Sequence, residues 1–334
     1  MSTGNILLLN LNHIGDILFT TPAIRALREK YPDAKITAVV LAGMEELLKH
    51  NPFVDEVLTR RRGLIPILKL VPKLRSRKIG TSLLFTFSSV RMSALGWMSG
   101  ASTRVGFDDP GIARFLTHPV PRVPGRHRVD WYLDLARAVG ADVDEPHMEM
   151  FTSTEDQEYA DDLLASAGIT GDKPVAAISP GSSVFAKQWF PERYAALADK
   201  LSADGVDVVI VGAPSERETV EDVKQSAKYA IADLAGKTKI GQLAAVLARC
   251  NAVVSNDTGP MHLAVSVGTP VVAIFGPTDP RETGPYCRKS KVLWEHLDCG
   301  PCGHKPTCSN RDCLQAITVN RVYEEAVKLI PFHR

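Results

Sequence analysis

The chain has 334 residues and a formal net charge of +1, with 45% hydrophobic and 23% charged residues. A chain of this length exceeds what one hydrophobic core usually supports, so two domains are expected. The balanced charge excludes a general attraction to nucleic acid or membranes, although local patches can still be charged.

The N-terminal segment has an apolar core but no basic region before it and no cleavage-like site after it. No signal peptide is therefore predicted. No uncharged apolar run reaches the ~18 residues that a membrane-spanning helix needs. We expect a cytoplasmic protein.

The first half of the chain alternates strand-like and helical segments. Residues 6–11 form a continuous apolar run, and residues 17–31 carry apolar side chains at helical spacing. Further strand-like runs occur at residues 35–41, 54–58 and 82–87. This alternation predicts a parallel sheet that is covered by helices on both faces.

A basic stretch follows at residues 60–78. It contains eight Lys or Arg residues and no acidic residue, with leucine, isoleucine and valine between them. One interpretation is an amphipathic pair of surface helices interrupted by Pro66 and Pro72. The other is a docking face for an anionic acceptor or for the inner membrane surface, with Arg61 and Lys69 as candidate contacts.

Residues 106–130 are rich in Pro, Gly, Arg and His and are predicted to form a long loop. Long loops in compact domains are often functional, which makes Arg126, His127 and Arg128 candidates for a binding cleft. A solvated loop is the alternative. A helix and a linker-like stretch at residues 142–146 close the first half.

The second half repeats the alternation. Its predicted strands are residues 175–179, 206–212, 231–234, 252–254 and 271–275, and its predicted helices are 153–168, 191–203, 215–227, 240–250, 260–267 and 319–330. The chain therefore carries two α/β halves, and the boundary lies between residues 142 and 172.

A turn with phosphate-binding chemistry directly follows the first strand of the second half. Gly181, Ser182 and Ser183 form the turn, and Lys187 comes four residues after it. N–H groups, hydroxyls and one ammonium suit a diphosphate. Glycine-serine turns after strands are common, so this turn alone is weak support for a site.

A second turn of this kind precedes the helix at residues 260–267. Asp257 and Thr258 are candidate caps, and Pro260 falls in the first helical turn. A helix that begins at the carboxyl end of a parallel strand presents N–H groups to an anion. Both turns would open at the same edge of one sheet, which favours a shared nucleotide diphosphate site.

Asp16 follows the first strand of the first half. It has two interpretations: a helix cap, or a carboxylate that acts as general base at the corresponding edge of the first domain. His13 is a further candidate beside the same turn, although a single histidine there is commonly only hydrogen-bonded.

Five of the six cysteines lie near the C-terminus. Cys299 and Cys302 form a C-x2-C pair, and Cys308 and Cys313 follow, with His304 and Cys287 as spare ligands. Four thiolates have the ligand count of a structural zinc or iron site, although the second pair lacks the usual spacing. Reduced packing cysteines and a labile disulfide are the alternatives.

Three segments together resemble glycosyltransferase family 9, the ADP-heptose:lipopolysaccharide heptosyltransferases. They are SNDTGPMHLAVSVGTPVVAIFGPTDP, ILLLNLNHIGDILFTTPAIRALREKYPDAKI and CGPCGHKPTCSNRDCLQAI. The last is similar to the heptosyltransferase II subgroup. The resemblance covers nearly the whole chain and implies a GT-B fold, an α/β architecture of two Rossmann-like domains facing across a cleft. It implies an acceptor-binding domain at 1–150, a nucleotide-sugar-binding domain at 151–316, and a C-terminal helix at 317–334 that returns to the first domain.

The resemblance also assigns roles to residues. Asp16 matches the family's catalytic base, and either Glu216 or Glu218 would contact the donor ribose. The positions that match donor-binding motifs are Ser182, Ser183, Lys187, Asp257, Thr258, Gly259 and His262. The acceptor-binding candidates are His13, Arg61, Lys69 and His127.

The function that follows is inverting transfer of heptose from ADP-heptose to a lipopolysaccharide inner-core acceptor, with no cofactor required for catalysis. Its partners would be these two substrates and, transiently, the inner membrane surface, with no nucleic acid. The location would be cytoplasmic and peripheral at the inner membrane face. The alternatives are a GT-B transferase or epimerase for another nucleotide sugar, and a non-catalytic nucleotide-sugar or metal-sensing module.

Overall fold

The computed structural model describes residues 4–10, 13–303, 308 and 310–331. Contacts within the chain divide it into two compact units after Phe151. Among the described residues, no helix is both long enough and apolar enough to span a bilayer.

The first unit contains a six-stranded parallel sheet. Its strands are Asn5–Asn10 (β1), Ile36–Leu41 (β2), Glu56–Arg60 (β3), Ile79–Phe85 (β4), Thr103–Phe107 (β5) and His118–Val120 (β6). The spatial order is β3-β2-β1-β4-β5-β6. Residues 6–9 of the central strand β1 are fully buried, as expected for a strand covered on both faces.

The helices of the first unit lie between these strands. They are Ile14–Leu18 (α1), Thr21–Lys30 (α2), Glu46–Lys49 (α3), Leu64–Leu68 (α4), Leu70–Arg75 (α5), Val90–Met98 (α6) and Arg128–Arg137 (α7). The predicted helix 17–31 is therefore divided between α1 and α2. The predicted helix pair is present, but Pro66 and Pro72 each lie in the first turn of a helix, where proline is tolerated, and the break between the helices falls at Lys69.

The predicted loop at residues 106–130 is partly wrong. It contains the end of β5, the edge strand β6 and the start of α7. β6 has three residues and includes Pro119, which lacks the N–H of a sheet residue and suits an edge position. A strand this short carries no detectable alternation.

The second unit contains another six-stranded parallel sheet. Its strands are Val175–Ser179 (β7), Asp207–Ile210 (β8), Ala232–Asp233 (β9), Ala252–Asn256 (β10), Val271–Phe275 (β11) and Lys291–Trp294 (β12). The spatial order β12-β11-β10-β7-β8-β9 repeats the topology of the first sheet. The prediction missed β12, whose exposed Lys291 and Val292 lie at the sheet edge.

The helices of the second unit complete the same pattern. They are Thr154–Ser166 (α8), Pro191–Ala203 (α9), Arg217–Ser226 (α10), Ile240–Ala248 (α11), Gly259–Ser266 (α12), Pro280–Thr283 (α13), Asp312–Gln315 (α14) and Val319–Leu329 (α15). Short 3-10 segments lie at Ala113–Phe115, Phe185–Lys187 and Pro214–Glu216.

The terminal helix α15 packs within the second unit, and its return to the first domain stays a prediction. Val322, Ala326 and Ile330 are buried in the core that also contains Leu197 and Leu201 of α9. The apolar face of α15 is therefore covered within the second unit.

The strand order places one topological switch point in each sheet. In the first sheet the chain runs outwards in both directions from the pair β1 and β4, and in the second from β7 and β10. Ligands of open parallel sheets bind beyond the carboxyl ends of the strands at such points. The segments after these four strands are therefore the candidate sites.

Candidate functional site

The turn after β7 is shaped by the close approach of Glu216. A Cβ atom on Gly181 would lie 2.1 Å from Cδ of Glu216, so a larger residue there would displace the end of that side chain. The buried Ser182 accepts a hydrogen bond at Oγ from the Val184 N–H over 3.1 Å, whereas Ser183 is exposed. Of the two glutamates considered for the ribose, Glu216 lies at this turn and Glu218 lies exposed on α10.

A buried ion pair connects the turn after β7 to the turn after β10. Nζ of Lys187 lies 2.6 Å from Oδ2 of Asp257, and their side chains are only 14% and 5% exposed. Thr278, which follows β11, donates a hydrogen bond over 2.7 Å to the same carboxylate oxygen. The two predicted turns therefore converge at the switch point of the second sheet.

Asn256 fixes the relative position of these turns. Its side chain is fully buried, donates to the Pro180 carbonyl over 2.8 Å, and accepts from the Trp189 N–H and the Tyr194 hydroxyl over 3.1 Å each. Sequence reasoning placed Asn256 in a turn without a role. Its partners lie more than 60 residues away in the chain, so no local pattern could reveal them.

The helix α12 begins without a side-chain cap. The prediction that Asp257 and Thr258 cap it is wrong: the Asp257 carboxylate is held by Lys187 and Thr278, and the Thr258 hydroxyl donates to the Asn256 carbonyl over 3.3 Å. Thr258 does occupy the position immediately before the helix, which starts at Gly259. The Thr258 side chain does not cap these N-terminal N–H groups, and N–H groups at a helix N-terminus bind anions well. His262, one turn into the helix, is buried.

The segment that carries Lys187 is braced by Arg311, which sequence reasoning missed. The Arg311 guanidinium lies 4.1 Å from the ring centroid of Phe185 and 4.4 Å from that of Phe190. It also donates a hydrogen bond to the Gln188 carbonyl over 2.7 Å. Burial lowers the pKa of this guanidinium from its usual value. This cation, stacked on both aromatic rings, stabilises the chain on both sides of Lys187.

The four C-terminal cysteines line one small cavity behind the same segment. Cys299, Cys302, Cys308 and Cys313 surround a volume of about 30 Å³ next to Ala186. Burial raises the pKa of the Cys313 thiol, and the other three thiols add to this effect.

The predicted structural metal site at these cysteines stays a prediction. Across the described residues, no three His, Cys, Asp or Glu side chains are grouped so that they could hold a metal ion. A tetrahedral thiolate site needs sulfur atoms about 2.3 Å from one point, which is a stricter condition than lining a common cavity. His304, one of the spare ligands, lies outside the described residues.

Asp16 lies at the switch point of the first sheet, in the first turn of α1. Its carboxylate is 13% exposed and accepts a hydrogen bond at Oδ1 from Nη1 of Arg128 over 2.8 Å. Asp16 is therefore part of the helix and is not its cap; a carboxylate in the first turn is also favoured by the helix dipole. The candidate loop residue Arg128 is the one that the structure brings to Asp16.

Aromatic side chains form the wall behind Asp16 and Arg128. The Arg128 guanidinium lies 5.5 Å from the ring centroid of Phe87, which follows β4. Tyr132 is fully buried, and its hydroxyl has no hydrogen-bond partner within the described part of the chain. Burial raises the pKa of Tyr132 well above its usual value, and the nearby Asp16 charge adds to the effect. The pair thus has an apolar wall on one side, which strengthens charge interactions.

The other acceptor-binding candidates are His127 and three exposed residues. His127 precedes α7, accepts a hydrogen bond at Nδ1 from the Val129 N–H over 3.1 Å and packs its ring edge-on against Phe19. His13 precedes α1 and is exposed, as are Arg61 and Lys69.

Comparison with known proteins identifies the family that this chain matches. Residues 67–312 match the family model described as glycosyltransferase family 9 (heptosyltransferase). The lipopolysaccharide core heptosyltransferase OpsX of Haemophilus influenzae is 27% identical over 296 residues, which cover 86% of this chain and 84% of that protein.

Solved structures agree with the fold. The glycosyl transferase family 9 structure from Veillonella parvula superposes with a TM-score of 0.89 at 27% identity and covers 98% of both chains. The E. coli ADP-heptose lps heptosyltransferase II superposes with a TM-score of 0.82 at 24% identity, covering 97% of this chain and 98% of that one. The predicted GT-B class of two Rossmann-like α/β units is confirmed.

Proposed function

The chain belongs to glycosyltransferase family 9, and we propose that it transfers heptose from ADP-heptose to a lipopolysaccharide inner-core acceptor with inversion at the anomeric carbon. The names of its relatives supply the substrate classes. The observation that carries the proposal is the convergence of the turns after β7 and β10 through the Lys187–Asp257 ion pair. This is a preformed anion site at a topological switch point.

In this proposal the second unit holds the donor. Lys187 exchanges part of its interaction with Asp257 for the diphosphate, and the N–H groups at the start of α12 bind the same anion. Ser182 and Ser183 add hydroxyl donors, Glu216 accepts from the ribose hydroxyls beside Gly181, and Asp257, Thr258, Gly259 and His262 hold the phosphate and heptose.

The first unit activates the acceptor. An acceptor hydroxyl oxygen attacks the anomeric carbon of the heptose, the bond from that carbon to the phosphate oxygen breaks, and ADP leaves with the electron pair. Asp16 takes the hydroxyl proton as general base. Because Arg128 engages Oδ1, Oδ2 is the oxygen that faces the hydroxyl. Lys187 and the α12 N–H groups stabilise the charge that develops on ADP.

The test is an incubation of the purified protein with ADP-heptose, with and without a core acceptor that ends at the inner-core sugars. We expect ADP release and a lengthened acceptor only when both substrates are present. Conversion of the donor without acceptor would instead identify an epimerase. A ligand-induced rise in melting temperature without turnover would identify a binding module.

The donor sugar is tested separately by a thermal-shift panel of nucleotide sugars. A ligand that binds only the folded state raises the melting temperature in relation to its affinity. ADP-heptose is expected to give the largest rise, and an equal or larger rise with another nucleotide sugar would reassign the donor.

A further inference from the structure

The helix α4 exposes a row of large aliphatic side chains, here called the α4 apolar face. Leu64, Ile65 and Leu68 are 56%, 69% and 47% exposed. Exposed single aliphatic residues are ordinary, but three on a helix of five residues form a local patch that is typical of an interaction surface.

This exposure follows from the number of apolar residues in the segment. Ile67, Leu70 and Leu74 already occupy the underside of α4 and α5, where they are buried with Met92 and Leu95 of α6. One face of a short helix can cover only one apolar row. The second row therefore remains on the outside of a well-anchored helix pair, and in the described part of the chain nothing covers it.

Positive charge surrounds the α4 apolar face. The exposed basic residues of this stretch are Arg61, Arg62, Lys69, Lys73, Arg75 and Lys78. Arg77 of this stretch is half-buried and forms an ion pair with Glu56. The exposed cations thus retain their full attraction for an external anionic surface.

The neighbouring helix α6 adds an aromatic side chain. Trp97 is 59% exposed in its last turn, next to Met98, whose carbonyl accepts a hydrogen bond from Nε of Arg75 over 2.9 Å. Exposed tryptophan, aliphatic residues and basic residues together are the composition of segments that lie in the interface of a bilayer.

We propose that the α4 apolar face inserts into the headgroup region of an anionic phospholipid bilayer, with the surrounding lysines and arginines bound to lipid phosphates. Charge complementarity selects the occupant: a bilayer offers a continuous anionic surface above an apolar interior, and both parts match this patch. A phosphorylated saccharide would satisfy the cations but would leave Leu64, Ile65 and Leu68 in water.

The experiment is flotation of the full-length protein with vesicles of phosphatidylethanolamine and phosphatidylglycerol, compared with vesicles of phosphatidylcholine alone. We expect binding to the anionic vesicles and little to the neutral ones. The variant Leu64→Ser/Ile65→Ser/Leu68→Ser should lower the partition coefficient about tenfold or more. The variant Arg61→Gln/Lys69→Gln should lower it by about fivefold for each charge removed.

Matched controls come from the second unit, where exposed apolar residues occur singly instead of in a row on one helix. Tyr229 and Val292 are 51% and 41% exposed, and Tyr229→Ser/Val292→Ser should bind vesicles like the wild type. Equal loss in this control, or unchanged binding in the triple serine variant, would overturn the proposal.

A fluorescent side chain placed in the α4 apolar face distinguishes insertion into the bilayer from adsorption to its surface. The indole emission that Ile65→Trp adds to its Trp97→Phe parent should shift to shorter wavelength on anionic vesicles and be quenched by brominated lipids. Binding without shift or quenching would mean purely electrostatic adsorption and would contradict insertion.

Vesicle binding requires neither donor nor acceptor, so its outcome is independent of the proposed transfer reaction. The variant Asp16→Asn should bind vesicles like the wild type. Loss of vesicle binding in that variant would show that the surface is not separate from the catalytic site.

Discussion

Arg128 donates a hydrogen bond from Nη1 to Oδ1 of Asp16 over 2.8 Å, joining the start of α7 to the turn after β1. The two residues are 112 positions apart in the chain. The guanidinium restricts the carboxylate to one orientation and leaves its second oxygen for another partner. For a proposed general base, this restriction sets the direction from which an acceptor hydroxyl must approach.

Arg128→Gln should lower kcat by about ten- to a hundredfold, because a misoriented base is displaced from its productive geometry. The KM for ADP-heptose should change little, since Arg128 lies in the first unit. Arg126→Gln is the matched control: Arg126 pairs with Asp134 over 2.7 Å, without contact to Asp16. Similar losses of kcat in both variants would point to a general effect on α7, and an unchanged kcat in Arg128→Gln would remove the positioning role.

Lys187→Ala should weaken ADP binding by about ten- to a hundredfold, the usual range for a lost charge-assisted hydrogen bond. Isothermal titration calorimetry measures this directly. The exposed Lys239, in the same unit, provides the control variant Lys239→Ala, for which an unchanged dissociation constant is expected. If Lys187→Ala binds ADP as well as the wild type, Lys187 does not contact the diphosphate.

Gly181→Ala should lower the melting temperature, because the new methyl group would lie 2.1 Å from Glu216 Cδ. The obstruction is the end of a flexible side chain, so the cost should lie at the lower end of the about 1–3 kcal/mol typical of overpacking. Glu216→Ala on the same background removes the obstructing carboxylate and should restore most of the loss. Failure of the double variant to recover would show that the strain has another source.

The ion pair of Arg77 and Glu56 predicts a pH-dependent stability. Hydrogen bonds from Arg77 to both carboxylate oxygens, at 2.6 and 2.5 Å, hold the pKa of Glu56 below its usual value of 4.5. A folded-state pKa below the unfolded value means that the pair stabilises the fold above about pH 4.5, and that this contribution disappears as the pH falls through the folded pKa.

Glu56→Gln should therefore be less stable than the wild type near neutral pH, by about 1 kcal/mol or less because both side chains keep contact with water. The difference in melting temperature should shrink as the pH approaches about 3. A constant difference across this range would show that Glu56 acts through packing rather than through its charge.

The sequence predicts the parallel architecture because buried parallel strands are continuous apolar runs. β1, β7 and β11 are of this kind, and their positions agree with the prediction to within a residue. β6 and β12 are short edge strands with proline or exposed residues, so their existence depends on the neighbouring strand rather than on their own pattern. The destination of α15 likewise depends on which surface its apolar face meets, which periodicity does not encode.

For the candidate site, the sequence indicated the turns but not their connections. Lys187 and Asp257 were both recognised from turn chemistry, whereas Thr278, Asn256 and Arg311 act through contacts between distant segments. The cysteines show another limit of the sequence. Their number and spacing indicate four possible metal ligands, but a metal also requires the four sulfur atoms to converge in space, which spacing does not determine.

The central claim is that Asp16 is the general base of heptosyl transfer. The most direct test compares Asp16→Asn with the wild type for turnover with ADP-heptose and core acceptor, alongside the dissociation constant for ADP-heptose. Removing a general base typically costs 10²–10⁴-fold, so we predict turnover reduced at least about a hundredfold, with donor affinity within about twofold of the wild type. Turnover within a few-fold of the wild type would contradict the account.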